Sequence, residues 1–218
     1  MARAEPYFDD SADPPVRGHL HRPESTSGDG LALTHGAGSD SGAPLLVAVA
    51  EALAAAGMTV LRYDLPYRQA RAKGPPRPGD AARDREGIRR VAAVMRGMAS
   101  GRLLLGGHSY GGRQTSMVAA EDPSLGDALL LQSYPLHPPG RPEQLRTAHL
   151  PNLRMRAFFV QGTRDNFGTP EEMQAALELI PAETQLYLVR DAGHDLGFGR
   201  KHGVDVVAMV QEFLKFLG

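Results

Sequence analysis

Short apolar runs alternate along this chain with longer stretches in which apolar residues recur every three or four positions. Residues 31–34, 58–62, 102–107, 128–132, 157–161 and 185–190 have strand length and little polar alternation. They therefore read as strands buried on both faces. Residues 16–23 read as a short edge strand, ended by Pro23 and the Ser/Gly run behind it. Between the strands lie helical faces: Leu46, Val49, Ala50 and Leu53, with Gly57 as a stop, then Ile88, Val91, Ala92, Met95 and Met98. Further helices are expected over residues 110–120 and along Val206, Val210, Phe213, Leu214 and Leu217. Thr169-Pro170-Glu171-Glu172 is a helix start: the threonine caps, the proline takes the first turn, and Glu172 completes a capping box.

Strands of this type between helices predict an α/β domain with a mostly parallel sheet of about seven strands, covered by helices on both faces. There is no internal repeat and no second core, so one domain spans residues 16–218. Residues 1–15 are expected to be weakly ordered, because Asp9, Asp10, Asp13, Pro14 and Pro15 crowd a segment with few apolar residues. The Pro/Gly-rich residues 66–79 read as a loop. About 24 residues separate Gln132 from Ala157, enough for a loop but not for a lid domain.

Composition narrows the chemistry. The chain has 218 residues, 42% hydrophobic and 22% charged, within the ordinary range for a globular protein. A formal net charge of -1 gives no field to recruit nucleic acid or an anionic membrane. The absence of cysteine excludes disulfides, thiolate zinc sites and a cysteine nucleophile. The polar N-terminal residues lack the apolar stretch of a secretory signal, and no window approaches the roughly 18 apolar residues that span a bilayer. A cytoplasmic location is the resulting expectation. His19 and His21 alternate along the edge strand, where two solvated histidines are a simpler reading than a metal site. No metal or organic cofactor is implied.

The strongest motif is Gly106-Gly107-His108-Ser109-Tyr110-Gly111-Gly112, which holds G-x-S-x-G between a predicted strand and a predicted helix. That context suits a nucleophilic serine on a sharp turn, where glycines at 107 and 111 let the chain turn and a helix pack closely. A serine hydroxyl needs a base, and the base needs an orienting acid. Of His137, His149, His194 and His202 downstream, only His194 directly follows a late strand. Asp165, just past residues 157–161, is the best-placed acid. The preceding strand ends in Ser133-Tyr134-Pro135 with no carboxylate, and Asp191 is a distant second. Oxyanion donors are expected at the backbone N–H of Tyr110 and in His35-Gly36-Ala37-Gly38, at Ala37. Gly36-x-Gly38 lacks the third glycine of a dinucleotide fingerprint.

In their order along the chain, the His35-Gly36 turn, the Ser109 elbow, Gly162-Thr163-Arg164-Asp165 and Gly193-His194 resemble the α/β-hydrolase superfamily over nearly the whole sequence. More narrowly, the chain resembles the small lidless group related to dienelactone hydrolase. Within that group it is most similar to predicted hydrolases related to the hydrolase-like subunit of the NSL chromatin complex. Arg62-Tyr63-Asp64-Leu65-Pro66, Tyr134-Pro135-Leu136-His137-Pro138-Pro139-Gly140 and Gly162-Thr163-Arg164-Asp165-Asn166-Phe167-Gly168 carry that match. Dienelactone hydrolase itself uses a cysteine nucleophile, so its substrate does not transfer.

These readings converge on a serine hydrolase that cleaves small acyl esters or thioesters through an acyl-enzyme, with Ser109, His194 and Asp165 as its catalytic residues. Amide or peptide cleavage by the same residues, and a non-catalytic interaction module, are the alternatives. His35, Arg68, Tyr134, His137 and Phe167 are candidates for substrate contact, and clustered Arg62, Arg68 and Arg71 could meet a substrate anion. The expected partner is a small acyl substrate, with no nucleic acid and no membrane.

Overall fold

The computed structural model describes residues 4–218. Eight strands form one sheet: β1 (Ala4–Asp9), β2 (Val16–His21), β3 (Gly30–Thr34), β4 (Thr59–Tyr63), β5 (Leu103–His108), β6 (Ala128–Gln132), β7 (Arg156–Gly162) and β8 (Thr184–Val189). Their spatial order is β1-β2-β4-β3-β5-β6-β7-β8. The pairs β1–β2 and β2–β4 are antiparallel, and the remaining pairs are parallel. The helices are α1 (Pro44–Ala55), α2 (Pro66–Ala70), α3 (Asp80–Met98), α4 (Ser109–Glu121), α5 (Pro170–Leu177) and α6 (Val206–Leu217).

The apolar runs make two cores because successive strand residues point to opposite faces. Leu103 and Leu105 join a layer with Ile88, Val91 and Met95 of α3, Val118 of α4 and Met173 of α5. Leu104 faces the other side, among Leu46, Val49 and Leu53 of α1 and Met209, Val210 and Phe213 of α6. The capping box at α5 forms: Glu172 N–H donates to Thr169 Oγ1, and Thr169 N–H donates to the Glu172 carboxylate. Between β6 and β7 there is a loop with one short 3₁₀ turn, Leu150–Asn152, and no lid. Among the described residues no helix is long and apolar enough to cross a membrane.

Three expectations are corrected. Residues 4–9, part of the segment expected to be weakly ordered, form β1, which adds an eighth strand to the sheet of about seven that was expected. The first three residues of that segment lie outside the described residues. Besides Tyr7, which packs against the core, pairing and charge hold it: Asp9 meets Arg90 at 2.7 Å and Asp13 meets Arg83 at 2.6 Å, both on α3. The loop expected at residues 66–79 begins with α2, started by Pro66. His21 is fully buried, accepting a hydrogen bond from Arg62 Nε at 2.8 Å, so it is not a solvated edge histidine.

Burial holds three histidines neutral. His21, His108 and His149 are each pulled down to about 4, mainly by desolvation and then by Arg62, His194 and Arg113 respectively. The unfolded chain binds protons at these groups near 6.5 and the folded chain does not, so their stabilising contribution is present above 6.5 and lost as pH falls towards 4. The urea midpoint is expected to drop between pH 6.5 and pH 5, above the range where most carboxylates titrate. A midpoint constant across that interval would show that these rings are not held neutral.

Candidate active site

Strand β5 ends at His108, and α4 begins at Ser109 with no intervening loop. Ser109 sits at φ 49, in the left-handed region that L-residues rarely occupy. Neighbouring glycines make the turn possible. A Cβ on Gly107 would lie 2.7 Å from the Gly112 nitrogen, and one on Gly111 would lie 2.4 Å from the His35 carbonyl oxygen. Nothing larger than hydrogen fits at either place.

The turn aims the hydroxyl at an imidazole from the loop after β8. Ser109 Oγ lies 2.8 Å from His194 Nε2, and His194 Nδ1 lies 2.8 Å from Asp165 Oδ2, just beyond β7. Asp165 is 3% exposed, so its geometry is set from within. Phe167 N–H donates to its Oδ1 at 2.9 Å, and Gln161 Nε2 donates to its Oδ2 at 3.0 Å. The His194 ring is flanked by Phe167, with centroids 4.2 Å apart, and by His108 at 5.4 Å. His108 Nε2–H donates to the His194 carbonyl at 3.1 Å. With Asp165 accepting from Nδ1–H, the lone pair on Nε2 faces the serine hydroxyl, the arrangement that draws off its proton.

Across Ser109 lies the loop after β3. The Ala37 N–H has no acceptor among the described residues, while its carbonyl is tied down by Tyr67 Oη at 2.9 Å and Arg68 Nη2 at 3.3 Å. Tyr110 N–H lies in the first turn of α4, where N–H groups have no partner within the helix. A buried carboxylate joins the two places. Asp84, fully buried on α3, accepts from Tyr67 N–H at 3.0 Å and from Tyr110 Oη at 2.8 Å. Desolvation raises its carboxyl above the ordinary range, opposed by these two hydrogen bonds.

Of the five side chains expected to meet substrate, only Phe167 lies against the His194 ring, and the other four are engaged elsewhere in the protein. His35 is fully buried: Nδ1–H donates to Gly36 O, and Nε2 accepts from Leu65 N–H. Arg68 is also buried, its guanidinium bound by the carbonyls of Ala37, Ser39, Arg71 and Gly74. Tyr134 packs in the core on Phe159, with its hydroxyl on Arg146 O. His137 is held by Pro138 O and Glu172. Nor do the other two clustered arginines await an anion: Arg62 reaches His21 and Ser41 O, and Arg71 pairs with Asp80.

Residues 28–217 match the family model described as an alpha/beta hydrolase domain. The chain belongs to the alpha/beta hydrolase family. Solved structures agree on the fold of this hydrolase domain. A dienelactone hydrolase from Anabaena variabilis is 19% identical, with TM-score 0.73, covering 99% of this chain and 97% of that one. An alpha-beta serine hydrolase homologue from Coxiella burnetii is 16% identical, with TM-score 0.77, covering 100% and 99%. A serine hydrolase without a lid from Xanthomonas campestris is 18% identical, with TM-score 0.70, covering 100% and 96%.

Sequence reasoning missed Asp84, Tyr67, Gln161 and the packing role of His108 in this hydrolase domain. One signal was available for Asp84: it precedes Ile88 and Val91 by four and seven positions, which puts it on the apolar face of its helix. The glycine constraint yields a direct test. Gly→Ala inside a helix normally stabilises by roughly 0.5–1 kcal/mol. At Gly111 the new methyl meets a backbone carbonyl, so Gly111→Ala is expected to destabilise by about 1–3 kcal/mol. Thermal melting of the variant beside wild type checks this, and an unchanged or raised Tm would refute it.

Proposed function

We propose that the protein is a serine hydrolase of the carboxylesterase type, acting on small acyl esters or thioesters. The observation that carries this reading is the continuous line of hydrogen bonds from Ser109 Oγ through His194 to the buried Asp165, starting at a serine held at φ 49. In the proposed reaction Ser109 Oγ attacks the carbonyl carbon while His194 Nε2 takes its proton. The oxyanion settles between the N–H groups of Ala37 and Tyr110. Collapse expels the leaving oxygen, which takes the proton from His194, and leaves the acyl group on Ser109. Water activated by the same imidazole then releases the acid.

The absence of a lid supports a compact or flexible substrate over one enclosed along its whole length. The motif resemblance supports a place within the dienelactone-hydrolase-like group, beside the predicted hydrolases related to the NSL-complex subunit. The Xanthomonas neighbour, described as a serine hydrolase without a lid, is consistent with this.

A fluorophosphonate probe is expected to label the wild type and to leave Ser109→Ala unlabelled. Asp165→Asn is expected to fold and to lose on the order of 10³–10⁴ in kcat on an activated acetate ester, because the imidazole loses its orienting acceptor. A folded wild type that does not label would refute the reading and favour the non-catalytic alternative.

A further inference from the structure

Beside the elbow, on the α1 and α6 side of the sheet, lies a cavity of about 240 Å³. Gly36 and the His108 ring border it, together with Ala43, Leu45 and Leu46 at the start of α1 and Phe198 from the loop that carries His194. Pockets for whole drug-sized ligands begin near 300 Å³, so this cavity suits one substituent of a substrate. Its walls are mainly aliphatic and aromatic, no lysine or arginine lines it, and Asp195, whose carboxylate is held by Gly197 N–H and Arg200, stands at its border. The apolar walls select an uncharged apolar group.

We propose that this cavity binds the alcohol portion of the ester, as a compact aliphatic group. The proposal rests on the serine-hydrolase reading, and the direction of proton transfer decides which portion enters. His194 has to hand its proton to the departing oxygen, so the leaving group lies on the imidazole side of the reacting carbon. The cavity is on that side: His108 flanks the His194 ring and holds its carbonyl, and Asp195 and Phe198 continue the same loop. Tyr67 and Tyr110, on the α3 side of the nucleophile, form no part of its wall.

Two ester series test this: acetates of methanol, propanol, butanol and hexanol, and p-nitrophenyl esters of acids of increasing length. In the alcohol series kcat/KM is expected to rise about four-fold per methylene up to butyl, the gain of burying each one. Ala43→Phe, which fills the cavity from its half-buried rim, is expected to lower the butyl-to-methyl ratio at least ten-fold. Phe198→Ala, which enlarges it, is expected to move the preferred alcohol to hexyl. The acyl-length profile is expected to keep its shape in both variants. A wild type that labels with fluorophosphonate but shows a flat alcohol profile, or variants that reshape only the acyl profile, would overturn the assignment of the cavity alone. A wild type that does not label would overturn the serine-hydrolase reading along with it.

Discussion

Helix α4 approaches strands β3 and β5 so closely that two glycine hydrogens fill the space between them, and most of the site follows from that contact. Gly107 and Gly111 bring the helix start against the sheet, and the chain between them turns through the strained φ of Ser109. Residues in such regions persist only where the surroundings over-determine them, at a cost of roughly 1–3 kcal/mol. Here the surroundings are the parallel neighbours β3 and β6 and the core beneath α4. Because Gly111 rests on the His35 carbonyl, the same contact sets the height of the loop carrying Ala37 relative to Ser109.

Beyond the strand ends no sheet hydrogen bonds remain to hold the loops, and buried side chains take over that task. His35 bridges the loops after β3 and β4, Arg68 gathers four carbonyls, and Asp84 ties Tyr67 to Tyr110. Such polar groups rigidify a structure when satisfied and cost free energy when they are not. Their density here holds the floor of the site in one arrangement, which is what the proposed stabilisation of an oxyanion would require.

The strands that carry Ser109 and Asp165 were legible because a parallel strand buried on both faces has to be apolar throughout, and the elbow because its glycines are sterically required. His194 was legible through its place after a late strand. Other features left no such mark. Strand β1 buries little apolar surface and is held by pairing and by ion pairs whose partners lie about 70 to 80 residues away, which no local pattern records. For Arg68 and His35 the sequence shows a polar loop residue in either case. Whether it faces solvent, substrate or a backbone carbonyl depends on where several loops converge. Asp84 sits among Arg83, Arg85 and Glu86, a charged stretch that conceals one buried carboxylate.

The position of β1 has a consequence for the order of assembly. Its strand partner among the described residues, β2, pairs next with β4, and Asp9 reaches Arg90 of α3, so it has no finished place until β4 and α3 are in position. Contacts this distant in sequence form late, because the loop they close must first be brought together. During folding this segment therefore waits while β3, β4 and β5 build the platform with α1 and α3. Strand β1 is thus among the last parts of the sheet to be held in place.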